Sequence, residues 1–151
     1  MLNNKQTLKL EEEFDLGIQT LYEQFFDFQK YGMHHPVMTD VTVVEDKSPD
    51  YIEYEVNEVV LLFGFIKIRP NYKAKVIEIE KHKKLRYTSQ VKPYVYLNID
   101  FDFVEENGKT KMTEHIEVTT NKLVAIVFLD ILKKAHLKVY HNIKSHFKTY
   151  N

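Results

Sequence analysis

From Lys122 to Lys148 the chain contains neither proline nor glycine, and this stretch follows a train of short segments in which apolar and polar residues alternate. Alternation with a period of two puts one set of side chains on one face of a strand, whereas a long run free of breakers reads as a helix. Many strands followed by one long helix point to an α+β domain in which a curved antiparallel sheet wraps around that helix. Thr119-Thr120-Asn121 supplies its cap. Along it, Val124, Phe128, Ile131, Ala135, Val139 and Ile143 form one stripe, the expected core face. Leu123, Ala125, Ile126 and Leu129 make the first turns apolar all round. That extra surface must meet a cavity mouth, an apolar loop such as Val59 to Ile66, a second subunit or a membrane. Packing within the chain is the first expectation and a dimer the next.

The preceding segments assign themselves by phase. Thr7 to Phe14 sets Leu8, Leu10 and Phe14 on one face, and Asp15 is placed to cap a helix carrying Ile18, Leu21, Tyr22, Phe25 and Phe26. A second short helix through Gln29 to His35 should stop at Pro36, because the residue before proline avoids α conformation. Val37 to Glu45 and Tyr51 to Glu58 form a hairpin across Lys47-Ser48-Pro49-Asp50. Val59 to Ile68 is an apolar run broken by Gly64 that fits a strand, a bend or a loop over the core. Tyr72, Ala74 and Val76 share one phase and Ile77 and Ile79 the other, so a bulge near Val76-Ile77 is expected. Leu85, Tyr87, Ser89 and Val91 continue the alternation, and beyond Pro93 come Val95, Leu97, Ile99, Phe101 and Phe103. Glu106-Asn107-Gly108-Lys109 is a tight turn into a strand carrying Met112, Ile116 and Val118.

At 151 residues a single domain spanning 1–151 is expected. The 21 basic and 22 acidic side chains nearly cancel, so no global field recruits nucleic acid. There is no cysteine, Met1-Leu2-Asn3-Asn4-Lys5 lacks the apolar core of a secretory leader, and Leu123 to Leu129 is too short to cross a bilayer. A cytoplasmic protein without integral membrane insertion is expected, as monomer or homodimer. No cofactor is implied, since the four glycines form no phosphate loop. No metal is expected either: His136, His141 and His146 recur every five residues, which spreads them around the helix, and solvated or capping roles are the simpler reading. Of the adjacent His34 and His35, one should face the core edge.

The order of strand, two short helices, six strands and one long helix, with Phe25-Phe26-Asp27-Phe28 leading through His35-Pro36-Val37, resembles the SRPBCC superfamily, also called START-like or Bet v 1-like. The resemblance covers nearly the whole chain and is nearest to the polyketide cyclase and lipid transport branch. It implies the helix-grip fold, with a cavity between sheet and final helix for a lipid, quinone, polyketide or other apolar molecule. Fold alone does not assign function.

Candidate site residues come from inward phases. Tyr54, Tyr72, Tyr87, Phe101 and Phe103 lie on inward phases of neighbouring strands and suit either a core or the wall of an amphipathic pocket. Val124 and Phe128 would face the same space from the helix. Glu12, Glu58 and Glu114 fall in phase with apolar neighbours, although a register slip would return them to solvent. If the first and last strands pair as the resemblance implies, Glu12 is expected opposite Glu114, where two carboxylates would share a proton or a cation. Three functions follow: a noncatalytic binder or carrier of a small apolar or amphipathic ligand, a cyclase or dehydratase using inward carboxylates or a tyrosine as acid and base, or a protein-interaction module with a filled core. No catalytic residue is assigned.

Overall fold

A computed structural model describes residues 4–92 and 94–148, with Lys92 described by its backbone alone. The expectations for Met1 to Asn3 and for a break at Pro93 lie outside the described residues. Strand β1 (Asn4–Phe14) leads into helices α1 (Ile18–Phe26) and α2 (Phe28–His34), followed by β2 (Met38–Lys47) and β3 (Tyr51–Glu58). Two short strands, β4 (Val60–Leu62) and β5 (Ile66–Ile68), precede β6 (Asn71–Glu80), β7 (Lys84–Lys92), β8 (Val95–Glu106) and β9 (Lys109–Thr120). Helix α3 (Lys122–Lys148) completes the order.

Seven strands form one antiparallel sheet in the order β1-β9-β8-β7-β6-β3-β2. Alternation sets its faces: Leu85 and Tyr87 on β7, Ile99, Phe101 and Phe103 on β8, and Met112, Ile116 and Val118 on β9 are buried while their neighbours face outward. Asn107 and Gly108 take φ of 55° and 77°, the positive values that let β8 turn directly into β9. Asn121 caps α3 by accepting the Val124 N–H at 3.0 Å. The helix is anchored through its second half, where Ala135, His136, Val139, Tyr140 and Ile143 are buried. No helix among the described residues is long and apolar enough to cross a membrane.

Local details correct the sequence expectations. The first helix is capped by Gly17, without a side-chain bond, and the Ile18 N–H donates to Glu105 of β8 at 2.5 Å, so a carboxylate from the sheet takes the role expected of Asp15. Asp27 caps α2, accepting from Gln29 and Lys30. The bulge expected at Val76-Ile77 lies between Glu78 and Glu80, and Ile77 and Ile79 therefore stay on the outer face. The undecided run 59–68 is a separate β4–β5 hairpin. Strands β1 and β9 do pair antiparallel, but Glu12 sits opposite Met112 and Glu114 opposite Leu10. Phase is kept, register is shifted by two, and the expected carboxylate pair does not form.

Candidate ligand cavity

The concave face of the sheet is covered in two ways. Under α1 and α2 it is filled: Phe25 packs against Phe101 and Phe103 with ring centroids 5.1 and 5.7 Å apart, and Tyr22 against Phe103 at 5.4 Å. Towards the start of α3 lies a cavity of about 410 Å³. Small residues make the space. Ala74 and Ser89 pair across β6 and β7, Ala135 lies on the helix, and all three line the cavity where larger side chains would close it. Val60 and Leu62 of the β4–β5 hairpin and Phe128 of α3 complete a mainly apolar wall. The lining also includes Leu123, Val124 and Val127, which are 78%, 39% and 42% exposed, so the cavity opens to solvent beside the first turns of α3.

Two groups of polar side chains interrupt this wall. At the end of β3, Glu58 accepts the hydroxyl of Tyr72 on β6. Burial holds the Glu58 carboxyl above its usual value, an effect that the Tyr72 hydrogen bond opposes, and burial likewise pushes Tyr72 well up. The second group joins α2 to α3. Buried Glu114 accepts the Tyr140 hydroxyl and meets His136 Nδ1, and His136 Nε2 lies 3.2 Å from the Tyr31 hydroxyl. The carboxylate assigns the His136 proton to Nδ1, which leaves Nε2 to accept from Tyr31. Tyr31, His35 and His136 all line the cavity. His35 Nδ1 accepts the Val37 N–H at 3.3 Å, and burial, with His136 close by, lowers its pKa to about 3. It is therefore a neutral imidazole carrying its proton on Nε2.

Of the ten residues singled out in sequence, Glu58, Tyr72, Tyr87, Val124 and Phe128 line the cavity. Tyr54, Phe101 and Phe103 are buried in the filled half and do not. Tyr87 reaches both, its ring on the cavity and its hydroxyl donating to the Phe25 carbonyl. Glu12 keeps the inward phase of Leu10 and Phe14 and, partly buried at the rim of β1, pairs with Lys144 of α3, while Glu114 is fully buried behind His136. The histidines also need correction: His136 is 3% exposed, and both His34 and His35 are buried rather than one of them. Sequence reasoning missed Tyr31, His35, His136 and Tyr140. One signal was available, because His136, Val139, Tyr140 and Ile143 follow helical spacing on the buried stripe. The apolar first turns of α3 are not covered within the chain, as Leu123 and Ile126 at 78% and 55% exposure demonstrate.

No protein-family model matches the sequence, and no curated protein matches it. Solved structures do. The Zhui aromatase/cyclase from Streptomyces sp. R1128 superposes with a TM-score of 0.79 at 8% identity, covering 95% of this chain and 93% of that one. Ara h 8.0201 gives 0.75 at 14% identity over 97% and 99% of the two chains. A START superfamily protein from Mycobacterium smegmatis gives 0.70 at 11% identity over 96% and 99%. At these identities the likeness establishes the helix-grip fold, which is the architecture expected from the order of elements.

Proposed function

We propose that the protein binds a small amphipathic molecule with its apolar body between the sheet and α3 and its polar end at His35 and Tyr31 or at the Glu58–Tyr72 pair. The observation that carries this reading is the cavity itself, whose volume of about 410 Å³ falls in the range of roughly 300–1,000 Å³ that small-molecule sites occupy. Small residues at Ala74, Ser89 and Ala135 keep it open, and a few polar groups with defined donors and acceptors give it a means of orienting a ligand. A sheet built only for stability would gain from filling such a space. That proteins with this fold include an aromatase/cyclase and a START superfamily protein is compatible with the reading.

The test is displacement of 1-anilinonaphthalene-8-sulfonate by fatty acids, quinones and aromatic polyketides, with wild type and Ala135→Phe compared. Saturable displacement by wild type and its loss in A135F, with an undiminished melting temperature, is the expected result. No displacement by any class, or equal displacement in A135F, would overturn the proposal.

One arrangement favours a second, catalytic reading. With Glu114 holding His136 and Nε2 accepting from Tyr31, the Tyr31 oxygen at the cavity wall could take a proton from a bound carbonyl compound as its own proton passes to His136 Nε2. Removal of a proton beside a carbonyl is the first step expected of a cyclase or dehydratase. If the site works this way, His136→Gln abolishes turnover of a displacing ketide while leaving its affinity within about threefold. Unchanged turnover by H136Q would exclude it.

A further inference from the structure

Topology gathers three segments at the cavity mouth: the β4–β5 hairpin between β3 and β6, the connection from β7 to β8, and the start of α3 after β9. Their tips are apolar and exposed. Phe63 and Phe65 are 76% and 77% exposed, Tyr94 77% and Leu123 78%. Across residues 59–73, 90–99 and 119–129 the sequence has no aspartate or glutamate, although the whole chain has 22, while Lys67, Arg69 and Lys122 are exposed there. The opposite end, made of the turns at 46–50, 80–83 and 105–109, mixes both signs, with Asp46, Asp50, Glu80, Glu105 and Glu106 beside Lys47, Lys81, Lys83 and Lys109. The near-neutral chain thus keeps an excess of positive charge at the mouth, where exposed apolar residues also gather, against a nearly balanced far end.

The hairpin tip adds a separate argument. Phe63 and Gly64 take φ of 54° and 81°, nearly the values of Asn107 and Gly108 at the β8–β9 turn. Asparagine suits that left-handed conformation, and a bulky aromatic does not. Phe63 therefore costs the fold backbone energy, and with its side chain in solvent it returns no packing. Its use lies outside the fold.

We infer that the mouth of the cavity docks on an anionic lipid bilayer, with Phe63, Phe65 and Leu123 entering the headgroup boundary and Lys67, Arg69 and Lys122 meeting lipid phosphates. Aromatic and aliphatic tips flanked by basic residues are what such a surface binds. The absence of acidic residues from the mouth segments, against the mixed charge of the far end, orients the molecule mouth down. The inference extends the proposed function, since a docked mouth opens the cavity onto the layer that dissolves amphipathic molecules.

The test is co-sedimentation with large vesicles of phosphatidylcholine alone and of phosphatidylcholine and phosphatidylglycerol in equal parts. Wild type should sediment with the mixed vesicles, and the bound fraction should fall as salt is raised. The Phe63→Asn/Phe65→Ser and Lys67→Glu/Arg69→Glu variants should each partition about tenfold more weakly. Because asparagine fits the turn, F63N/F65S should melt no lower than wild type, so its loss of binding is not unfolding. Val104→Ser, at an exposed apolar residue near the far end, should bind like wild type. Absence of sedimentation with either vesicle, or an equal loss in V104S, overturns the inference. So does a wild-type dimer in sedimentation velocity that F63N/F65S converts to monomer, since a second copy would then cover the mouth. Dye displacement in F63N/F65S separates the two proposals: it persists if only docking fails and is absent in wild type if the cavity reading fails.

Discussion

The filled and open halves of the interior are faced by the same sheet and by neighbouring inward positions, yet one is solid and the other is not. In the filled half α1 and α2 lie on the sheet and bring Tyr22 and Phe25 down onto Phe101 and Phe103. In the open half the cover is the first part of α3, where Ala125 alone is fully buried before Ala135, and the sheet beneath it offers Ala74 and Ser89. Large rings on inward phases therefore do not distinguish a core from a binding cavity. What distinguishes them is whether the opposite layer brings a side chain down onto each ring and whether the sheet offers small neighbours such as Ala74 and Ser89.

The sharpest way to break this comparison is to remove one ring from each half. Phe101→Ala, at a fully buried residue packed on Phe25 and Tyr87, is expected to cost about 3–5 kcal/mol in urea unfolding. Phe128→Ala, on the cavity wall, should cost less than about 1.5 kcal/mol because its neighbours already border open space. Equal losses would mean that the open half is as tightly packed as the filled one.

A smaller effect should appear in the pH dependence of melting, since the open half holds Glu58 and His35. Glu58 has a raised folded pKa, so its contribution is fully present below the ordinary value of 4.5 and is lost as pH rises through the raised one. His35 is depressed from 6.5 to about 3, so its contribution is present above 6.5 and is lost as pH falls towards 3. Glu58→Gln should therefore melt at or above wild type at pH 7–8 with the gap closing in acid, and His35→Asn should flatten the acid limb. If F101A changes either limb, the two halves are electrostatically one unit.

The smallest expected effect concerns how α1 is tied to the filled half. Glu105→Ala should cost about 1 kcal/mol and Asp15→Ala less than about 0.5 kcal/mol, measured in the same unfolding experiment. The reverse order would restore Asp15 as the cap and leave the helix without its link to β8.

Much of the architecture was legible because it follows from local chemistry. Asn121 and the absence of breakers define α3, and Asn107-Gly108 defines the β8–β9 turn. The candidate site was legible only in part. Alternation tells which face a side chain takes, so Glu114 was correctly placed inside, but it carries no register, and the partner of Glu114 proved to be His136 rather than Glu12. The five-residue spacing of His136 from His141 points around the helix, whereas its three- and four-residue spacing to Val139 and Tyr140 decides its burial. Phase also says nothing of depth or of what lies opposite, which is why it groups Tyr54, Phe101 and Phe103 with Tyr72 and Tyr87.

The pairing of the first strand with the last has a consequence for how the molecule is made. Leu8 lies against Ile116, so β1 cannot join the sheet until β9, more than a hundred residues later in the chain, has been synthesised. Closing so long a loop costs entropy before any contact offsets it, and high contact order slows folding. On the ribosome the hairpins β2–β3, β6–β7 and β8–β9 would emerge in sequence while β1 waits without a partner, its apolar face a target for chaperones. The cavity forms late among the features of this fold, because its helical wall is translated after every strand, and a nascent chain has no pocket to fill until the stretch of α3 from Leu123 to His136 has left the exit tunnel.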